Sequence, residues 1–294
     1  MTTSSPAIHP APWRELFASH ISQSSFSEFD LSTVAYDSHK DKVVPRARVC
    51  GFRGFFPTPQ LHHSAIDDLK KQGDGLNPDV YESDMFSFTT DARMEKAFQI
   101  QPSPSGSFVG NDVEMVFWFK DVANQWRVKG TAFIIGGSEN SVEENKARKE
   151  IQTGLRVRSG KSDDGWTWER QVTTYFANHT PVLRGQFLLR SDWYQYLFYL
   201  GSFKAPPPGQ PKSQVPQDPN LKLGQKVHDI HDPVARNNFR VVVVRPEQVE
   251  RLDLSDYEDL QRRAWSLTTD GTQWEEIELW PWEVFMDGIL SERS

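Results

Sequence analysis

Strand-like runs stand on both sides of a helical middle, and this arrangement confines the chain to a mixed, mostly antiparallel architecture. Leu31–Tyr36, Val43–Phe56, Met85–Thr90, Val113–Lys120 and Gln125–Ile135 come first; Phe239–Arg245, Val249–Leu254, Ala264–Thr268 and Trp274–Leu279 come last. Asp121–Asn124 reads as the turn of a hairpin, and Arg245-Pro246 and Asp270-Gly271 read as turn signals between the late strands. A short helix is predicted behind Pro12, where Trp13, Leu16, Phe17 and Ile21 recur at helical spacing. Further helices are predicted over Asp91–Ile100, with Asp91 as N-cap, over Ser141–Thr153, and over Trp168–Gln186, broken or kinked at Pro181. The expected organisation is one domain over 12–285, with loop insertions near 57–83 and 204–235. A disordered tail is expected at 1–11 and a C-terminal tail at 286–294.

The composition narrows the function classes. A formal net charge of −7 argues against a nucleic-acid backbone as partner. No apolar run approaches the roughly 18–20 residues that span a bilayer. Met1–Pro12 is Ser/Pro-rich without an apolar core, unlike a secretory signal, and Cys50 is the single cysteine. Together these predict a cytoplasmic protein. Aromatic residues make up 12%, ten of them tryptophan, so the chain needs many flat apolar surfaces in a core, an interface or a ring-binding pocket.

Three segments carry chemistry. Arg46 to Phe56 is an apolar strand studded with arginines. Arg48 and Arg53 have opposite parity there and would face opposite sides of an unbulged strand, which Gly51 could relieve. Phe88 to Ile100 sets the hydroxyls of Thr89 and Thr90 at a strand end and the cations Arg93 and Lys96 at the start of a helix, the groups a phosphate needs. Gln125 to Gly130 is the third. Taken singly, such arginines are ordinary solvated strand residues. Two other groupings are read as structural. His228 to Asp232 is flanked by Pro233 and reads as a solvated loop, so no metal is expected. Cys50, inside an apolar strand, reads as a buried small hydrophobe.

As an ordered set the segments resemble the pyridoxamine 5'-phosphate oxidase family, and more closely its FMN-binding-domain proteins without an assigned substrate. The resemblance runs through Pro12-Trp13-Arg14, Arg48 to Phe55, Phe88 to Lys96, Gln125 to Gly130, Arg184 to Phe187 and Phe239 to Leu254. It implies a split β-barrel of about six strands with flanking helices, a homodimer, and FMN held at the subunit interface. By position, Arg48 resembles the arginine that meets the FMN phosphate, and Val49 to Arg53 the backbone beside the flavin. Arg53 stands where the family has a lysine near flavin and substrate. Thr89 and Thr90 match the strand-end pair, and Lys96 a phosphate-binding lysine. The family arginine before that lysine is Glu95 here, for which Arg93 could compensate. Gln125 matches a glutamine reaching in from the second subunit, and Arg263 falls more loosely on a late flavin-contacting arginine.

The departures concern the substrate. The parent oxidases grip a substrate phosphate with a Tyr, an Arg four residues on and a Ser four beyond that; here the positions read Tyr175, His179 and Leu183. Their late Arg-x-His falls on Asp259 and Gln261. A histidine titrates near 6.5 when unperturbed, so His179 is expected to offer charge only in mild acid. The resemblance therefore implies a flavin-dependent oxidoreductase that handles pyridoxamine 5'-phosphate poorly, with Arg53, Tyr175 and His179 left at the substrate side. A flavin-binding protein without turnover, a true pyridoxamine 5'-phosphate oxidase, and a barrel that holds some other ligand are the competing readings.

Overall fold

The computed structural model describes residues 9–101, 110–136, 141–188 and 226–281. The aromatic run from Trp193, the Pro-rich stretch around Pro206 and both predicted terminal tails, apart from residues 9–11, lie outside the described residues. In chain order the elements are α1 (Arg14–Gln23), β1 (Glu28–Asp37), β2 (Lys42–Gly51), β3 (Gly54–Phe55), β4 (Thr58–Pro59), α2 (His63–Lys71), β5 (Tyr81–Glu82) and β6 (Phe86–Asp91). They continue with α3 (Glu95–Ile100), β7 (Asp112–Phe119), β8 (Asn124–Ile135), α4 (Val142–Thr153), β9 (Arg156–Val157), α5 (Trp168–Ala177) and α6 (Pro181–Gln186). The last are α7 (Pro233–Asn238), β10 (Phe239–Asp253), β11 (Gln261–Leu267) and β12 (Trp274–Leu279).

The main sheet runs β2-β1-β7-β8-β10-β6-β3-β4, with β11 added to β10 and β12 to β11. Every pairing in it is antiparallel, and short connections account for β1–β2, β3–β4, β7–β8, β10–β11 and β11–β12. β10 organises it: β8 pairs along one edge, while the other edge pairs with β6 in its first half and with β11 in its second.

Two cores share this sheet. Side chains alternate across a strand, so Val242 and Val244 enter the barrel interior while Phe239, Val241 and Val243 enter a helical layer. That explains the unbroken valine run, because a strand covered on both faces needs no polar alternation. α1 closes one end of the barrel. Phe17 meets Phe86, Phe117 and Trp126 edge-to-face with ring centroids at 5.0–5.4 Å. Asp84 clasps this helix: its carboxylate accepts from the Ala11 amide at 2.9 Å, from Arg14 at 3.2 Å and from Arg156 at 2.5 and 2.9 Å. Ala11, assigned to the tail from sequence, is thus buried and tied down. The second core packs Ala147 and Ile151 of α4 and Val172, Tyr175 and Phe176 of α5 against the sheet.

Three local expectations are corrected and a fourth holds. Arg245-Pro246 is not a turn but a β-bulge inside β10, with the register shifting between Pro246 and Gln248. β8 pairs on both sides of the bulge, and proline, which has no N–H to give the ladder, is tolerated there. The helix predicted from Asp91 begins at Glu95, because Asp91 is the last residue of β6 and its carboxylate accepts from the Arg93 amide at 2.8 Å. The 57–83 insertion contains α2, whose Ala65 and Leu69 are buried. Pro181 does split the Trp168–Gln186 helix, with Thr180 capping the second piece. No helix among the described residues is long and apolar enough to cross a membrane.

Candidate functional site

The chain changes sheet partner at residues 52 and 53. The Phe52 amide donates to Ser27 O beside β1, and the Arg53 amide donates to Ser87 O on β6, each at 2.8 Å. This is the seam of the barrel, with Arg48, Thr90 and Lys96 on one side of it and Arg53, Thr89, Tyr175 and His179 on the other.

On the barrel side, β2 brings Arg48 and Cys50, β1 brings Thr33, β6 brings Thr90 next to its end, and α3 lays Lys96 and Gln99 across them. Arg48 Nη1 donates to Thr33 Oγ1 at 2.5 Å and to Leu31 O at 3.4 Å, and Nη2 donates to Gln99 Oε1 at 2.5 Å. Thr33 Oγ1 donates its own hydrogen to Gln99 Oε1 at 2.6 Å. Gln99 Nε2 is buried without an acceptor. Lys96, 5% exposed, lies 3.4 Å from Thr90 Oγ1 and 2.8 Å from Met94 Sδ. Burial lowers its pKa to about 8; Cys50, Asp91 and Glu95 pull it up, and Arg48 pushes it further down. Burial likewise lowers the Arg48 pKa and raises that of the Cys50 thiol. Glu95 is turned outward to Arg46 at 3.3 Å. The mouth of the barrel therefore concentrates cations and amide donors, and none of the bonds drawn to Arg48 comes from a carboxylate.

On the helical side, Thr89 Oγ1 and His179 Nε2 are 3.0 Å apart, and His179 Nδ1 is 3.0 Å from Tyr175 O. A carbonyl only accepts, so Nδ1 carries the proton and Nε2 accepts from the threonine. The Tyr175 hydroxyl reaches Ser87 Oγ at 2.8 Å, and burial pushes the phenol pKa up. Burial, with Arg53 and Arg184 nearby, lowers the His179 pKa to about 3. The charge expected on His179 in mild acid is thus corrected: the imidazole stays neutral through that range. Arg53 Nε is buried with no hydrogen-bond partner, and burial lowers the pKa of its guanidinium.

Arg93 falls on the helical side: it is forked onto Asp91, Nε to Oδ1 at 2.8 Å and Nη2 to Oδ2 at 2.6 Å, and Nη2 lies 3.4 Å from the carbonyl of Phe187, whose ring packs edge-on against His179. Two predicted residues stand apart from both sides. Gln125 lies near the start of β8 opposite Leu252, and Arg263 lies on β11 opposite Arg251, 3.1 Å from Glu276. Val241, opposite Thr89, and Leu252, opposite Gln125, are separated by roughly 35 Å of strand at about 3.3 Å per residue. Val49 faces outward and is exposed. Gln99 and Thr33 escaped the sequence reading. The signal for Gln99 was its place three residues after Lys96, on the same helix face; nothing in the sequence pointed to Thr33.

Residues 10–136, somewhat under half of the chain, match the family model for the pyridoxamine 5'-phosphate oxidase FMN-binding domain. No curated protein matches the chain. Among solved structures, a pyridoxamine 5'-phosphate oxidase-related, FMN binding protein from Nostoc punctiforme PCC 73102 is 19% identical, with 93% of this chain and 100% of that one covered and a TM-score of 0.54. PhzG from Burkholderia lata 383, in complex with tetrahydrophenazine-1-carboxylic acid, is 12% identical over 94% of this chain and 100% of that one, with a TM-score of 0.37. General Stress Protein 26 from Bacillus anthracis str. Sterne is 13% identical over 82% and 94%, with a TM-score of 0.30. At such identities the likeness is one of fold, and only the first superposes closely enough to support it. The architecture is the split-barrel fold of that first structure.

Proposed function

We propose, from the match of residues 10–136 to the model for the pyridoxamine 5'-phosphate oxidase FMN-binding domain, that the chain binds FMN and acts as a flavin-dependent oxidoreductase. Its substrate is something other than pyridoxamine 5'-phosphate. One observation carries the binding: Arg48 and Lys96 converge with a buried amide donor that has no acceptor, Gln99 Nε2. A phosphate supplies an acceptor for that amide and negative charge beside the two cations. The fit is therefore good, with Arg48, Lys96 and Thr90 toward the phosphate and the Val49–Arg53 backbone along the ring. Bound there, FMN supplies hydride transfer at its N5.

On the substrate side Arg53 offers one positive charge. His179 adds none, since its pKa of about 3 keeps it neutral, and it serves to hold the Thr89 hydroxyl. A phosphate dianion needs several cations or donors to offset its desolvation, so a substrate with at most one negative charge suits this side better. A homodimer accounts for Gln125 and Arg263. Both lie too far along the sheet to reach Thr89 in their own subunit, and in a homodimer a second copy would deliver them. The reading includes a single cytoplasmic domain over 12–285.

Calorimetry on the purified protein tests the proposal. FMN should bind one per subunit and more tightly than riboflavin, with a dimer in light scattering and little oxidation of pyridoxamine 5'-phosphate. Equal affinity for both flavins would sink the phosphate assignment, and a flavin-loaded monomer would sink the shared site. Reduction by NADH or NADPH and reoxidation separate an enzyme from a binder without turnover.

Lys96 adds a pH dependence. The ammonium is the form that meets a phosphate, and its pKa before binding is about 8. FMN affinity should be flat between pH 7 and that value and then fall, approaching about tenfold per pH unit, because binding must restore the lost proton. In the Lys96→Met variant, affinity should be lower at pH 7 and level up to roughly pH 9.5, the range in which the linkage above would otherwise act. A wild-type profile that stays level over the same range would remove Lys96 from the phosphate site.

A further inference from the structure

We infer that Gln99 is a positioning residue: its neutral amide fixes the Arg48 guanidinium at the barrel mouth while leaving the arginine's charge uncancelled for an anion. The inference rests on the proposal that Arg48 meets the FMN phosphate.

The bonding has one consistent direction. Arg48 donates to Thr33 Oγ1 and to Gln99 Oε1, both at 2.5 Å, and Thr33 donates to Gln99 Oε1 at 2.6 Å. The amide oxygen must therefore face Arg48, because the flipped amide would set its NH2 against a guanidinium that only donates. Both acceptors that grip the two terminal nitrogens are uncharged. Gln99 and Thr33 are each 5% exposed, so the grip is rigid and shielded from water.

Local satisfaction alone favours a carboxylate at position 99. A glutamate would accept from the same two donors, would pair with Arg48 by charge, and would remove the orphaned donor Nε2. It would also neutralise the arginine and set a negative charge beside Lys96. An apolar side chain of the same length would leave the guanidinium without its acceptor. Glutamine alone among side chains of this reach accepts from Arg48 without opposing an anion. The buried Nε2, which has no acceptor within the chain, is the cost of that choice until an anion arrives to accept from it.

The test compares FMN with riboflavin, which shares the ring system and lacks the phosphate. Full-length wild type, Gln99→Glu and Thr33→Val are titrated with each flavin by calorimetry and by quenching of flavin fluorescence. In Gln99→Glu, riboflavin affinity should stay within twofold of wild type while FMN affinity falls at least tenfold, and thermal stability should hold or rise. Thr33→Val, which removes the second acceptor with little change of shape, should lower the FMN-to-riboflavin ratio severalfold, and decides the matter if the glutamate variant does not fold. An unchanged ratio in these variants overturns the inference. Equal losses for both flavins also overturn it, since that marks a purely structural role. A wild type that binds both flavins equally defeats the underlying FMN-phosphate reading first, and this inference with it.

Discussion

Replacing Arg48 by alanine should cost about 2–5 kcal/mol of FMN binding, the range for truncating one side of a desolvated charge-assisted pair. That is roughly thirty-fold to a few thousand-fold in the dissociation constant at about 1.4 kcal/mol per decade. Three features put the effect at the large end. The guanidinium is already partly desolvated, so little further desolvation accompanies binding. It is held by Thr33, Leu31 and Gln99 before ligand arrives, so little ordering is needed. The remaining cation, Lys96, is lowered to about 8 and is a weaker substitute above neutral pH. Riboflavin affinity should change by no more than about twofold, since its complex lacks the charge pair that makes such truncations costly. Purification of Arg48→Ala with a full complement of FMN would show that the phosphate lies elsewhere.

Gly130→Ala should destabilise the fold by about 3 kcal/mol or more, at the upper end of what overpacking costs. Gly130 sits on β8 directly beside the bulge of β10, opposite Pro246. A Cβ built on it falls 2.1 Å from Arg245 O and 2.9 Å from Arg245 C. Those atoms are backbone, in a strand that pairs with β6, β8 and β11, so no rotamer change relieves the overlap. Either the β8–β10 ladder opens or the backbone at the bulge shifts, and both lose ladder hydrogen bonds. Denaturant melts of Gly130→Ala and, as a control, Gly75→Ala check this, because a Cβ at Gly75 meets nothing within 4 Å. Equal midpoints for the two variants would mean that the close approach at Gly130 carries no weight.

Much of the strand content was legible because alternation is a local property. Phe117 and Phe119 alternate with Val116 and Trp118 within β7, and the structure buries the first pair in the barrel. The break at Pro181 was equally local, since the ring forbids the helical hydrogen bond wherever it falls. Arg245-Pro246 misled for the same reason. Those two residues are a turn signal by themselves, and only the presence of Gly130 alongside makes a bulge in a continuous strand possible.

By itself the sequence determined that strands pair antiparallel around a helical middle. It also determined that cations and hydroxyls cluster at the end of β6, and that Tyr175, His179 and Leu183 cannot grip a phosphate as an arginine-bearing set would. Such properties follow from residue type and spacing within a few positions. Tertiary structure alone decided what each group became. Arg48 and Gln99 stand 51 positions apart, and Thr89 and His179 90, so no pattern within one segment could pair them. The neutrality of His179 and the lowered pKa of Lys96 come from desolvation, which depends on everything packed around a group and on little within its own segment. The separation of Gln125 and Arg263 from the barrel mouth is likewise set by the run of β10 through the sheet, a length no motif records.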